Sequence, residues 1–321
     1  MTPTESFDQL YSTQLLPALE ALEQSRKTVM RTFRMAMFLL FTAVPFLIIA
    51  ISIGHPAAFL LMAPSVVFSI LKFIDYGKKK TTYTESFKEK VIGAMVKVMD
   101  NQLIYTPGAC INMNEYVASG IFRSRIDRYT GDDLVEGKLG ATAVKFSELH
   151  HEEKHVTTDS KGHRQESWIT IFKGIFFIAD FNKNFSGSTY IGPDAGDSFF
   201  GIGRFFEKWV TGKGELVKLE SPEFEKYFTA YSTDQVEARY ILSTTMMERL
   251  VQFRKKVTNN LHLSFVQSNV YIALSIPESL FEPNIFSSGL KQDYLKKYFV
   301  YLELITGIVD DLHLNLRIWG K

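Results

Sequence analysis

Two long apolar segments without any charged residue dominate the N-terminal part of the chain. The first runs from Met35 to Ile53 and the second from Ala57 to Leu71, with Gly54-His55-Pro56 between them. Lys72 is followed by the apolar Phe73 and Ile74, and with these residues each arm holds roughly 18–19 residues. At about 1.5 Å per residue this gives close to 28 Å, about the hydrocarbon thickness of a bilayer. Because Gly and Pro end helices and favour turns, the pattern predicts a two-helix transmembrane hairpin over residues 35–75. A buried hairpin of a soluble protein and a single re-entrant hairpin are the alternatives that this pattern leaves open.

Apolar residues recur at helical spacing on both sides of this hairpin. Residues 1–34 are predicted as an amphipathic helix whose apolar face holds Phe7, Leu10, Leu15, Leu19 and Leu22. Residues 82–103 are predicted as a further helix, with Thr82 and Glu85 as a capping box.

Beyond residue 116 the apolar pattern changes toward a period of two, which is typical of strands. The segment "ESWITIFKGIFFIADF" is rich in β-forming residues, and the C-terminal part mixes strands with amphipathic helices. This is not the regular alternation of a doubly wound sheet. We therefore predict an α+β fold, in which an N-terminal amphipathic helix and a transmembrane hairpin precede a mixed α+β domain rich in antiparallel strands. The domain is predicted over residues 76–321, with a sub-boundary near residues 212–220.

The charges are balanced overall but clustered around the apolar segments. Lys and Arg total 36 against 35 acidic residues, so the net charge of +1 gives no general basic surface for nucleic acid. Basic residues flank both arms, whereas the turn between the arms has none. By the positive-inside rule, both termini and the large C-terminal domain are predicted to lie in the cytoplasm. The single cysteine, Cys110, suits a reducing compartment.

Several longer motifs carry a resemblance to a known family. They are "YTGDDLVEG", "VKFSEL", "IFKGIFFIADFNKNFSG", "VKLESPEFEKYFTAYSTDQVEARYILSTTMMERL" and "LFEPNIF". With the twin apolar segments, they make the chain resemble the bacterial two-pass membrane family called domain of unknown function 3137. The resemblance implies a location in the bacterial inner membrane, multi-pass, with a cytoplasmic domain. It supplies no catalytic residues.

A histidine-rich stretch, "HHEEKHVTTDSKGH" from His150 to His163, is the first candidate for chemistry. It lies between two strand-like segments, and Asp159-Ser160-Lys161-Gly162 is typical of a hairpin tip. On a strand, His151, Glu153 and His155 would share one face and are the candidate metal ligands. Side chains on one face of a strand stand about 7 Å apart, so a bulge would be needed to bring three of them onto one ion. A solvated hairpin without metal and a pH-sensitive contact are the alternatives.

Two further groups of residues are candidates for contacts. Thr130-Gly131-Asp132-Asp133 is predicted as a turn, with the two aspartates as turn or helix-cap residues and a ligand or cation contact as the alternative. In a strand, two adjacent carboxylates would point to opposite faces and make a poor acid–base pair. Aromatic and basic residues alternate further along, and this mixture is typical of a surface that contacts a membrane or a partner. The contact candidates are Phe199, Phe200, Arg204, Phe205, Phe206, Lys208 and Trp209. Packing of these phenylalanines in the core is the alternative.

No nucleophile, phosphate-binding or paired-cysteine motif accompanies these segments. The sequence therefore favours a non-enzymatic, membrane-anchored cytoplasmic binding or scaffold module without a cofactor. Its expected partners are the lipid bilayer and either a protein or further copies of the chain, but not nucleic acid. The first alternative is a membrane-bound metal-dependent hydrolase that uses the His/Asp/Glu-rich residues 132–163. The second is a small oligomeric channel or transporter subunit.

Overall fold

The computed structural model describes residues 3–54, 60, 62–158, 162–194, 212–257 and 260–314. The chain divides into two compact units. The helical unit comprises Met1–Val98 and Phe281–Val300, and the sheet unit comprises Met99–Leu280 and Tyr301–Lys321.

The helical unit is built on two long helices. A short helix α1 (Pro3–Leu10) and a π-helical turn (Tyr11–Leu15) lead into α2 (Leu16–Ile53), which Gly54 ends with a left-handed φ of 67°. Helix α3 (Ala63–Phe87) continues through a second π-helical turn (Lys88–Ile92) into α4 (Gly93–Met99).

Helices α2 and α3 continue without a break across the boundaries predicted from the sequence. Helix α2 passes from the predicted amphipathic segment into the first apolar arm without a break. Thr82 and Glu85 lie inside α3, so the capping box predicted there is wrong. The basic and polar residues that follow the second apolar arm contain no proline, so nothing stops the helix at that point.

The segment from residue 281 to residue 300 packs on α1 within the helical unit. The rings of Phe7 and Phe299 meet edge to face with centroids 5.5 Å apart. The hydroxyl of Tyr11 donates a hydrogen bond to the carbonyl oxygen of Leu290 at 2.8 Å. The apolar face predicted for the N-terminal helix is therefore covered by a segment from the far end of the chain.

The sheet unit contains one antiparallel sheet in which the described residues form nine strands. Their order across the sheet is β1-β2-β3-β4-β9-β8-β5-β7-β6. The bounds are β1 (Ile104–Thr106), β2 (Arg128–Leu139), β3 (Thr142–Thr158), β4 (Arg164–Asp180), β5 (Ser188–Pro193), β6 (Glu215–Leu216), β7 (Phe228–Ser232), β8 (Leu261–Val266) and β9 (Asn269–Ser275). The α+β fold class is thus confirmed. The predicted hairpin is β3–β4, whose pairing runs from Val144 opposite Ala179 to Thr158 opposite Arg164.

Four short helices and two longer ones follow β1 among the described residues, and the second longer helix passes from the helical unit into the sheet unit after Val300. They are α5 (Met113–Ala118), α6 (Pro222–Glu225), α7 (Gln235–Ile241), α8 (Thr244–Lys256), α9 (Gln292–Thr306) and α10 (Ile308–Asp311). Side chains cap several of their N-termini, as in the Asn112–Glu115 capping box of α5 and the Asp234 carboxylate at α7. The carboxylate of Asp234 accepts hydrogen bonds from the backbone N–H groups of Val236 and Glu237, which fixes the start of α7.

The predicted turn at Thr130–Asp133 is wrong, because these residues lie inside β2. The pairing of β2 with β3 shifts between Asp132 and Val135, and Asp133 has a positive φ of 57°. This is a β-bulge with an Asp in the left-handed region, a residue type that tolerates that conformation. Turn-forming residues at this position therefore distort a strand instead of ending it.

Candidate functional site

Helix α2 buries one narrow stripe of residues and exposes large apolar side chains elsewhere. The buried stripe repeats every seven residues, at Leu22, Val29, Ala36, Ala43 and Ala50, and Leu15 in the preceding π-helical turn continues it. A seven-residue repeat keeps one face of a helix against a neighbouring helix. Along the apolar arm this face carries only alanine, whereas Phe38 is 68% exposed and Phe41 is 65% exposed. Small residues inside and large apolar residues outside reverse the usual arrangement of a soluble protein.

Helices α2 and α3 contact each other along the alanine stripe through polar groups. The buried hydroxyl of Ser69 donates to the carbonyl oxygen of Ala36 at 2.9 Å, and the hydroxyls of Thr42 and Ser65 lie 3.4 Å apart. Serine and threonine bonds of this kind join helices inside membranes, where small residues let two backbones approach closely. On α3 the exposed apolar residues include Val67, Phe68, Ile70, Leu71 and Ile74.

The candidate metal ligand His151 lies in the core of the sheet unit with both ring nitrogens hydrogen-bonded. Its Nδ1 is 2.9 Å from the hydroxyl of Tyr116, and its Nε2 is 3.1 Å from the carbonyl oxygen of Arg125. A carbonyl only accepts, so Nε2 carries the proton and Nδ1 of the neutral ring accepts from Tyr116. Burial lowers the pKa of His151, which agrees with a neutral ring. A metal could bind His151 only if one of these bonds broke.

The other two metal candidates follow His151 on the same face of β3 and are more exposed. Glu153 Oε1 and His155 Nε2 are 3.6 Å apart. The β3–β4 pairing does contain a bulge beside His151, but the extra residue is Ile171 on β4. The alternation of β3 itself is therefore unchanged, and the bulge does not move the three candidates together. The metal site stays a prediction.

Asp132 and Asp133 lie beside a buried glutamate rather than in a turn. Burial is the main reason why the pKa of Glu148 rises to about 7, and the negative charges of Asp132 and Asp133 add to the rise. The backbone N–H of Leu280 donates a hydrogen bond to the carboxylate of Glu148 at 2.8 Å, and this bond partly offsets the rise in pKa. Asp133 is buried and accepts a hydrogen bond from the hydroxyl of Tyr105. The bulge in β2 interrupts the alternation of side chains at these two residues. The charges of both aspartates therefore raise the pKa of the same carboxyl group, that of Glu148.

The predicted contact stretch, which comprises Phe199, Phe200, Arg204, Phe205, Phe206, Lys208 and Trp209, lies outside the described residues. Its role as a membrane or partner contact stays a prediction.

A buried pair of bases that the sequence analysis did not single out lies near the C-terminal end of this stretch. The side-chain nitrogen Nζ of Lys213 donates to the carbonyl oxygen of Ile121 at 2.6 Å and stands 4.9 Å from the ring centre of Tyr190. Burial, with a contribution from the nearby charge of Arg123, lowers the pKa of Lys213 to about 6. Burial also lowers the pKa of His262 to about 3, and Lys213 lowers it further.

One local signal accompanies Lys213 in the sequence, namely the glycines on either side of it. Gly212 and Gly214 have positive φ angles of 75° and 93°, so the lysine lies between two glycines in the left-handed region of backbone conformation. The pattern Gly-Lys-Gly is too short to reveal burial by itself, since Tyr190 and Ile121 come from distant parts of the chain.

These features define an α+β protein that carries an apolar helix pair at its N-terminal end. Residues 170–314 match the model of the family described as "Protein of unknown function (DUF3137)". The DUF3137 family predicted from the sequence motifs is therefore confirmed over these residues. The two apolar arms lie outside the matched residues, and their two membrane passes stay a prediction.

Other comparisons add little to this assignment. No curated protein matches the chain. The crystal structure of the mycobacterial trehalose monomycolate transport factor A, TtfA, is similar at 11% sequence identity and a TM-score of 0.35, covering 69% of this chain and 94% of that chain. A TM-score at this level carries no conclusion for this protein.

Proposed function

We propose that the protein is a non-enzymatic binding or scaffold module held at the cytoplasmic face of the bacterial inner membrane by two membrane-spanning helices. The observation that carries the proposal is the alanine and serine interface between α2 and α3, with large apolar side chains on the outside. One helical run, Phe7–Ile53, is long and apolar enough to cross a membrane by length and composition. The second span would use the apolar residues of α3 and those that precede it.

The direction of the hairpin follows from its charges. Arg26, Lys27, Arg31 and Arg34 precede the first apolar arm, and Lys72, Lys78, Lys79 and Lys80 end the second. Keeping these cations in the cytoplasm places both termini there. The sheet unit would then work in a reducing compartment beside the inner leaflet.

The number and direction of the spans can be measured by cysteine labelling. In a Cys110→Ser background, single cysteines replace three exposed residues, Thr13, Ser52 and Lys90. We expect a membrane-impermeant maleimide to label Ser52→Cys in intact spheroplasts, because this position lies at the far end of α2. Thr13→Cys and Lys90→Cys should react only after the membrane is permeabilised.

Two labelling results would contradict the proposal. If Ser52→Cys also needed permeabilisation, neither arm would cross the membrane. If Thr13→Cys and Lys90→Cys reacted from opposite sides, the chain would cross only once. Labelling of all three in detergent controls for access to each thiol.

The binding role can be tested on the predicted contact stretch. The full chain and a Phe205→Ala/Phe206→Ala/Trp209→Ala variant are purified in mild detergent and compared by native mass spectrometry. We expect wild type to retain a bound protein, lipid or second copy that the variant loses. A matched control replaces the exposed apolar residues Leu216 and Val236 by alanine. Wild type without any bound species, or equal loss in both variants, would speak against the stretch as the contact.

A further inference from the structure

A cationic pocket opens in the helical unit next to the start of the first apolar arm. It is a cavity of about 380 Å³ whose lining comes from α2 and from a short segment near residue 287. The lining residues are Arg26, Lys27, Met30, Arg31, Arg34, Phe286 and Ser288. It therefore combines several cations with one aromatic ring and one hydroxyl.

One wall of the pocket is fixed by contacts between distant parts of the chain. The guanidinium of Arg26 donates to both carboxylate oxygens of Glu23, at 2.7 and 2.8 Å, and to the carbonyl oxygen of Ile285 at 2.8 Å. This bonding lowers the pKa of Glu23, so Arg26 is held by a charged carboxylate. The ring of Phe286 packs edge to face on Phe33 with centroids 5.6 Å apart.

The charge of Arg26 is balanced, but the other cations of the pocket point outward. Lys27, Arg31 and Arg34 are exposed. Among the described residues, Arg31 and Arg34 form neither an ion pair nor a hydrogen bond with another side chain. Two guanidinium groups on adjacent turns of one helix present the forked donors that suit phosphate oxygens.

These cations lie on the same face of α2 as exposed apolar residues of the arm. Positions 27, 31, 34, 38 and 41 follow the spacing of one helical face, about 180° around the helix from the buried alanine stripe. Phe38 and Phe41 continue this face beyond Arg34. One helix face is therefore basic before Met35 and apolar after it. A molecule that fits this face has an anionic head and a long apolar tail.

We propose that the pocket binds the phosphate headgroup of an anionic phospholipid of the inner leaflet, whose acyl chains lie along Phe38 and Phe41. The proposal rests on the membrane placement proposed above. Arg31 and Arg34 contact the phosphate, Lys27 adds charge at the rim, and Ser288 is available to a hydroxyl of the headgroup. A free phosphate ion would use the cations alone and would gain nothing from the apolar half of this face.

The test compares lipid retention by the full chain and by charge variants in the same detergent. Wild type is mixed with equal amounts of phosphatidylglycerol and phosphatidylcholine, and bound lipids are counted by native mass spectrometry. We expect one phosphatidylglycerol per chain in preference to phosphatidylcholine. A Lys27→Gln/Arg31→Gln/Arg34→Gln variant should lose this lipid, with an affinity lower by about tenfold or more.

A matched control separates this pocket from general attraction of anionic lipid to a basic flank. The variant Lys72→Gln/Lys78→Gln/Lys80→Gln removes the same number of charges from α3 near the same end of the hairpin and should keep the bound lipid. The variant Arg31→Lys/Arg34→Lys keeps the charge but loses the forked donors, so it should bind the lipid more weakly than wild type and more tightly than the glutamine variant. Equal loss from the pocket variant and the α3 variant would overturn the proposal, as would wild type without preference for phosphatidylglycerol.

The source of the phosphate is decided by competition. Millimolar sn-glycerol 3-phosphate should leave the bound phosphatidylglycerol in place, because it cannot contact Phe38 and Phe41. Its displacement of the lipid would assign the pocket to a soluble phosphate instead. Failure of this proposal is distinguishable from failure of the membrane placement, since the cysteine labelling reads the topology in the native membrane whether or not a lipid is retained.

Discussion

The sequence makes His151 a candidate metal ligand, whereas in the fold its ring forms two structural hydrogen bonds. It is fully buried, and its ring meets that of Tyr116 edge to face with centroids 5.6 Å apart. We expect His151→Ala to lower the free energy of unfolding by about 2 kcal/mol or more, because it leaves a cavity and strands two polar partners. Thermal unfolding of the full chain in detergent measures the effect.

His155 provides the matched control for that substitution. Its side chain is 43% exposed, so His155→Ala should change stability by less than about 0.5 kcal/mol. A chelator should leave the unfolding temperature of wild type unchanged if both His151 nitrogens stay in their bonds. A lower unfolding temperature after chelation, with one tightly bound metal per chain, would support the hydrolase alternative.

Lys213 makes the stability of the sheet unit depend on pH. Its pKa is lowered to about 6 from the ordinary value of 10.5, so between these values the unfolded chain holds a proton that the folded chain lacks. Stability then rises with pH across this window, by up to about 1.4 kcal/mol per pH unit. We expect the stability of wild type relative to Lys213→Met to rise between pH 6 and pH 10 in thermal unfolding.

The exposed Lys226 offers a control of the same chemistry. Lys226→Met should leave the pH dependence of wild type unchanged, because this side chain meets solvent in both states. A difference between wild type and Lys213→Met that stays flat with pH would mean that Lys213 keeps its charge in the folded protein.

At the scale of elements, the α2–α3 pair depends on small residues at the heptad positions. Ala43 is 5% exposed in the middle of the alanine stripe. We expect Ala43→Leu to destabilise the pair by about 1–3 kcal/mol, since extra methylene groups must push the helices apart. The control Phe41→Leu, on the exposed face, should have little effect. The resistance of each detergent-solubilised variant to heat and to protease measures the loss of stability. If Ala43→Leu and Phe41→Leu were equally resistant, the helices would not be closely packed at Ala43.

The centre of the sheet depends on one glycine in the motif "IFKGIFFIADF". Gly174 has a φ of 149°, and a Cβ there would lie 2.1 Å from the carbonyl oxygen of Leu274. Gly174→Ala should therefore destabilise the sheet unit by more than about 2 kcal/mol or prevent folding. Gly108→Ala is the matched control, because a Cβ at residue 108 meets no atom within 4 Å. Circular dichroism melting of the two variants should separate them, and similar melting would show that the strand can shift.

At the scale of the whole molecule, the exposed apolar surface of the helix pair should decide where the chain resides. We expect the chain to stay with membranes after an alkaline carbonate wash. Phe38→Asp, Phe41→Asp and Ile48→Asp together should abolish this retention, since each charge in the hydrocarbon costs about 2.5–3.5 kcal/mol. Aspartates at Val156, Leu216 and Val236, which are exposed in the sheet unit, are the control and should leave the chain in the membrane fraction. Release of wild type by the wash would contradict the membrane placement.

The sequence by itself determined the features that repeat along the chain. The apolar arms, the helical spacing before them and the period-two segments after them predicted long helices and an antiparallel sheet, because burial on one face leaves a periodic signal. The long motifs were specific enough to predict the family. The hairpin β3–β4 also followed from local signals, since its arms and turn residues are adjacent in sequence.

Only the tertiary structure decided which polar residues are buried and what they touch. His151 bonds to Tyr116 and Arg125, Glu148 accepts from Leu280, and Lys213 donates to Ile121, all across long stretches of sequence. The bulge at Asp133 and the covering of α1 by residues 281–300 are equally invisible in the pattern. Such contacts depend on the register of distant strands and helices, and a one-residue shift in register exchanges the buried and exposed faces of a strand.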